Sequence, residues 1–97
     1  MNGEHTLSVP VTHPALPGHF PGRPIVPGVM ILDLLVEEWR GLQPATPLRG
    51  VRKVKFLNML APGEPFLVDW GEIRNGKVSF TARSGEKPLA TGQFVLG

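Results

Sequence analysis

The chain is expected to fold as a single α+β domain: one long buried helix wrapped by an antiparallel sheet of about five strands. Three observations carry this. There are 97 residues, the length of one domain spanning residues 1–97. Only one segment, Gly28 to Leu42, has helical spacing, and it is apolar almost all round. The rest reads as short alternating runs separated by turn residues.

The elements follow in order. Thr6-Leu7-Ser8-Val9-Pro10-Val11 alternates apolar and polar residues and reads as a strand, with Pro10 marking an edge. Pro14, Pro17, Pro21, Pro24 and Pro27 then fall within 14 consecutive positions, a density that neither a helix nor a central strand survives. Leu16, Phe20, Ile25 and Val26 lie in the same stretch, so it reads as a rigid, partly buried loop rather than a solvated linker. In the helix, Val29, Met30, Ile31, Leu32, Leu34, Leu35, Val36 and Trp39 cover nearly the whole circumference, which marks a helix buried on every side. Gln43-Pro44-Ala45-Thr46-Pro47 ends it.

Four strand-like runs remain. They are Val51 to Leu60, Phe66 to Trp70, Val78 to Ala82 and Leu89 to Leu96. Pro62-Gly63, Asn75-Gly76 and Ser84-Gly85-Glu86 turn the chain between them, and Asn-Gly is a strong hairpin signal. Connections this short imply antiparallel neighbours.

Composition narrows the function. Cysteine is absent, which excludes a disulfide framework, a cysteine-ligated zinc site and a cysteine nucleophile. No run approaches the roughly 18–20 apolar residues of a membrane span. Met1-Asn2-Gly3-Glu4-His5 lacks the basic and apolar regions of a signal peptide, so the expected location is the cytoplasm. The net charge of +2 is small but uneven: residues 1–48 sum to −2 and residues 49–97 to +4. Arg49, Arg52, Lys53 and Lys55 gather in or beside one strand and offer a surface for an acidic partner. Nucleic acid is not expected, because tyrosine is absent and no basic surface with interleaved aromatics appears. No metal is expected either, since His5, His13 and His19 form no pair at ligand spacing.

The chemistry concentrates in residues 17–33. His19 lies in the proline-stiffened loop, which holds an imidazole in one orientation. Gly28-Val29 opens the helix, where backbone N–H groups lack intrahelical acceptors and the helix dipole favours developing negative charge. Asp33 is a carboxyl in the second turn of an otherwise apolar helix, costly there unless paired or used. A base, an anion-stabilising amide and an acid together suit proton removal next to a carbonyl. Each also has a plain structural reading: a hydrogen-bonded loop histidine, a simple helix start after Pro27, and a carboxylate complementing the dipole.

The segment Pro17-Gly18-His19-Phe20-Pro21-Gly22-Arg23-Pro24-Ile25-Val26-Pro27-Gly28-Val29, with Asp33 fourteen positions after His19, resembles the signature of the bacterial 3-hydroxyacyl-acyl-carrier-protein dehydratases of the FabA/FabZ group. Phe56 with Pro62-Gly63-Glu64 is a second, weaker match. The chain is short for that group and is similar to the dehydratase-like proteins of aryl-polyene-type pathways. The resemblance implies the hot-dog fold and dehydration of 3-hydroxyacyl thioesters to trans-2-enoyl thioesters. It implies that His19 removes the α-proton, the Gly28 amide binds the thioester carbonyl, Asp33 protonates the departing hydroxyl, and the Ile25 carbonyl orients His19. Gly28, Val29 and Ile25 are then the substrate-binding positions. The resemblance further implies no metal or redox cofactor, substrate carried on phosphopantetheine of acyl carrier protein or coenzyme A, and a homodimer or higher homo-oligomer whose sites take the histidine and the acid from different protomers. A hot-dog acyl thioesterase and a non-catalytic acyl-binding module are the alternatives.

Two departures from the pattern stand out. The acid is Asp33 where most members carry glutamate, and Glu37 stands where glutamine is usual. Asp33 and Glu37 share a helix face at i,i+4 spacing. If both are buried, their repulsion raises one pKa and favours a protonated acid.

Overall fold

The computed structural model describes residues 7–8 and 26–97. His19, Ile25 and most of the proline loop lie outside the described residues, as does the first strand-like run apart from Leu7 and Ser8.

Helix α1 runs Gly28–Leu42, the range that the spacing predicts. Pro27 precedes it in an extended conformation, φ −60° and ψ 144°, and its fixed φ suits the residue before a helix. At the other end the Gln43 amide donates to the Trp39 carbonyl at 2.8 Å, and Pro44 stops propagation. The indole of Trp39 donates to the Thr46 carbonyl at 3.2 Å, which folds the following loop back onto the helix.

Four strands follow among the described residues: β1 Leu48–Phe56, β2 Leu67–Trp70, β3 Lys77–Ser84 and β4 Lys87–Leu96. They form one antiparallel sheet in the order β1-β4-β3-β2. Both hairpins have the expected turns. Asn75 and Gly76 take φ of 54° and 73°, the two positive values a type I′ turn requires, and Arg74 and Lys77 exchange both backbone bonds at 2.9 Å around them. Gly85 takes φ 60° between the paired Ser84 and Lys87. The expected fifth strand is represented by Leu7, whose N–H and C=O both pair with Phe66 at 2.8 Å.

Two expectations need correction. The run from Val51 to Leu60 does not stay in the sheet: β1 ends at Phe56. Nor is β1 a neighbour of β2. Of the four described strands they are the first and last in the order, and residues 57–66 cross from one to the other. Pro62 and Pro65 in that crossing cannot donate ladder bonds, which is why the segment is irregular. On its way it passes the start of α1, where the Val26 amide donates to the Leu60 carbonyl at 2.8 Å.

The helix is also less buried than its composition predicts. Ile31, Leu35 and Trp39, at i, i+4 and i+8, are the only fully buried residues of α1, while Val29 is 61% exposed. A single sheet covers one stripe of a helix, and the remaining apolar residues meet no second layer among the described residues. Against the buried stripe stand Phe66, Val68, Val78, Phe80, Leu89 and Phe94. Trp70 joins the core from β2, with its ring 5.2 Å from Trp39 and 5.6 Å from Phe94.

In the middle of β1 the register slips. Lys53 and Val54 oppose the single residue Gly92, and Lys53 adopts φ 58°. This is a bulge. Gly92 accommodates it, because a Cβ there would fall 2.8 Å from Phe80 Cζ and 3.0 Å from Val54 Cγ2. No helix among the described residues is long and apolar enough to cross a membrane.

Candidate functional site

The site is built around the start of α1. Among the described residues no side chain caps that end, and no acidic residue occupies its first turn. Met30 donates to the Pro27 carbonyl at 2.9 Å, while the amides of Gly28 and Val29 precede the first intrahelical acceptors. Among the described residues neither N–H finds an acceptor, so both are open to an anionic or polarised oxygen at the positive end of the helix dipole.

Phe56, the last residue of β1, lies against Gly28. A Cβ on Gly28 would sit 2.8 Å from Phe56 Cδ1 and Cε1 and 3.0 Å from Cγ. The glycine is thus what lets the ring approach the helix backbone. Phe56 is itself 51% exposed.

Asp33 and Glu37 are both exposed and lie on the helix face opposite the Ile31–Leu35–Trp39 stripe. The condition that both carboxyls be buried is therefore not met within this chain. Of the expected site residues, the structure places Gly28, Val29 and Asp33 on one helix; His19 and Ile25 lie outside the described residues.

The crossing segment is fastened beside this helix start. Glu64, of the Pro62-Gly63-Glu64 motif, accepts from the Ala61 amide at 3.0 Å and from the Ser84 hydroxyl at 2.7 Å, with Lys87 Nζ 3.3 Å away. The Ala61 bond foremost, then Ser84 and Lys87, hold its carboxyl below the ordinary value, against an opposing effect of burial. Sequence reading named Phe56 and Glu64 as motif matches but missed what they touch. The only signal was a glycine at the first helical position, which reports a close approach without naming the neighbour.

The basic strand is as expected in charge. Arg49, Arg52, Lys53 and Lys55 are all exposed, and none forms an ion pair among the described residues. A cleft between Trp39, Leu42, Trp70 and Ile73 lies at the far end of α1, about 22 Å from Gly28 for a helix of this length. It shares no residue with the set described above.

Comparison with known proteins agrees with this reading. Over residues 2–93 the chain matches the ApeI-like family, described as ApeI dehydratase. It is 33% identical over 105 residues to the 3-hydroxyacyl-[acyl-carrier-protein] dehydratase FabZ of Thermus thermophilus, covering 92% of this chain and 73% of that one. With FabZ of Caldicellulosiruptor saccharolyticus the identity is 32% over 103 residues, covering 92% and 72%. Among solved structures, the dehydratase heterocomplex ApeI:P from Xenorhabdus doucetiae superposes with a TM-score of 0.81 at 24% identity, over 98% of this chain and 86% of that one. A variant of the fluoroacetyl-CoA-specific thioesterase FlK superposes with a TM-score of 0.61 at 17% identity, over 100% and 85%. These structural likenesses show the fold, which is the hot-dog fold. The family match and the FabZ relatives go further: the chain belongs to the ApeI-like dehydratase family.

Proposed function

We propose that residues 1–97 act as one domain that dehydrates 3-hydroxyacyl thioesters to trans-2-enoyl thioesters, as a hydro-lyase. The observation that carries the reading is the start of α1, where two N–H groups have no acceptor among the described residues, in a chain of a dehydratase family.

The chain's residues divide the work as follows. The thioester carbonyl accepts a hydrogen bond from the Gly28 amide, supported by Val29 and the helix dipole. His19, oriented by the Ile25 carbonyl, takes the proton from C2. The electrons of that C–H bond pass through an enolate-like state stabilised at Gly28. They then form the C2=C3 double bond as the C3–O bond breaks, and Asp33 gives the departing hydroxyl its proton, so one water leaves. The elimination is redox neutral, so no step calls on a redox cofactor. Hydration of the enoyl product runs through the same steps in reverse.

The substrate arrives on the phosphopantetheine of acyl carrier protein or coenzyme A, and the exposed cations of β1 suit an acidic carrier. Asp33 stands on the helix face that this chain's own sheet does not cover. That supports a homodimer, or a higher homo-oligomer, in which Asp33 serves the site of a second copy. The cytoplasm is the compartment that this reading assigns.

Crotonyl-thioester hydration, followed by mass spectrometry, tests the reading. Wild-type protein adds one water and leaves the thioester intact, and His19→Ala loses about 100-fold or more. Hydrolysis of the thioester instead would establish the thioesterase alternative. Binding without turnover would establish the acyl-binding module.

A further inference from the structure

We propose that Phe56 determines specificity at this site: its ring bounds the space beside the Gly28 amide and excludes substrates branched at C2. The inference rests on the dehydratase reading and adds which acyl groups the site admits.

The contact is held from both sides. Phe56 pairs with Ala90 in β4, and the next amide, Leu57, donates to the Leu89 carbonyl at 2.8 Å. Beyond it the Asn58 side chain donates to the Pro88 carbonyl at 2.7 Å and Lys87 Nζ to the Met59 carbonyl at 3.0 Å. Leu60 then accepts from Val26, two residues before Gly28, at 2.8 Å. The strand end that carries the ring and the chain leading into the helix are thus tied into one backbone network. The strand end that carries Phe56 cannot move away from the helix start without breaking it.

Half of Phe56 is nevertheless exposed, at 51%, so the fold of this chain does not use all of its apolar surface. The ring stands within contact distance of the Gly28 backbone. A carbonyl oxygen hydrogen-bonded to that amide lies about 2.9 Å from its nitrogen. The two atoms bonded to the carbonyl carbon, C2 and the thioester sulfur, are then the part of the substrate nearest the ring, and C2 is the one of the two that can carry a branch. The ring is therefore placed to sense substitution at C2 rather than chain length. In a packed apolar site one additional carbon changes kcat/KM by about tenfold or more.

The test compares hydration of crotonyl-coenzyme A with that of its 2-methyl analogue by wild type, Phe56→Ala and Phe56→Leu, with thermal unfolding as the check on folding. The wild type is expected to favour the unbranched substrate in kcat/KM by about tenfold or more. Phe56→Ala is expected to shrink that ratio by about tenfold, through gain on the branched substrate, with Phe56→Leu between. If the alanine variant does not fold, the leucine variant decides by the same ratio. A folded variant with the wild-type ratio, or with both substrates lost alike, overturns the inference and leaves the dehydratase reading standing. A wild type that hydrates neither substrate removes the dehydratase reading and this inference with it.

Discussion

Gly28 and Phe56 compete for one space: a Cβ on the helix residue would come within 2.8 Å of two carbons of the strand residue's ring. Gly28→Ala keeps the backbone N–H and improves helix propensity by up to about 1 kcal/mol, so neither a lost donor nor a weakened helix accompanies it. What it does is push the ring and the helix start apart. A displacement near 1 Å at a site of this kind costs about 100-fold in kcat. The expected result is that loss in Gly28→Ala, with most of it recovered in Gly28→Ala/Phe56→Ala. Steady-state hydration of an unbranched thioester checks it. A double variant no better than the single one would show that the contact is not the cause.

Glu64 ties the crossing segment to the β3–β4 hairpin through a charge, so its contribution depends on pH. Bonds from Ala61 and Ser84, with Lys87 nearby, hold its folded pKa below the ordinary 4.5. The unfolded chain therefore binds a proton at higher pH than the folded one. Stability from this group is complete above pH 4.5 and is lost as pH falls through the lower folded value. Glu64→Gln is expected to cost about 1 kcal/mol at neutral pH, a modest figure because the side chain is partly solvated. Urea midpoints of wild type and variant should converge in acid. A gap of equal size at pH 7 and pH 3 would assign the effect to shape rather than charge.

Gly92 faces the bulge in β1 and leaves no room for a methyl group: Phe80 Cζ and Val54 Cγ2 stand 2.8 and 3.0 Å from its Cβ position. Both neighbours are packed into the sheet, so neither gives way freely. Gly92→Ala should lose about 1–3 kcal/mol through overpacking. Gly50→Ala is the matched control, since nothing lies within 4 Å of its Cβ position and it too is in a strand. Denaturant unfolding of the two variants should separate them clearly.

What could be read from the sequence was local. The range of α1 follows from its apolar spacing and the prolines beside it, and the Asn75-Gly76 hairpin from the two positive φ values that only such residues adopt readily. What could not be read was pairing between distant segments. The alternation in β1 is the same whether its neighbour is β2 or β4, so its place at the outer edge was not legible. The apolar circumference of α1 was legible, but it does not say which stripe the chain's own sheet covers and which is left for something else. The candidate site shows the same division. Gly28, Val29 and Asp33 were named from a contiguous motif, whereas the contact of Gly28 with Phe56 joins positions 28 residues apart and needed the fold.

The exposed position of Asp33 bears on how many chains make one site. It stands on the side of α1 opposite Ile31 and Leu35, away from this chain's sheet. If a site takes its histidine from one copy and its carboxyl from the other, two inactive variants can repair each other. In a dimer of His19→Ala with Asp33→Asn, one site carries both substitutions and the other carries neither. Random pairing makes half the dimers mixed, each with one working site of two, so co-refolded protein should reach about a quarter of wild-type activity. Each variant alone should show almost none. Hydration rates of the mixture against the two separate proteins decide the matter. Activity no greater than their average would mean that both groups of a site belong to one chain, and Asp33 would then have to reach His19 without crossing a subunit boundary.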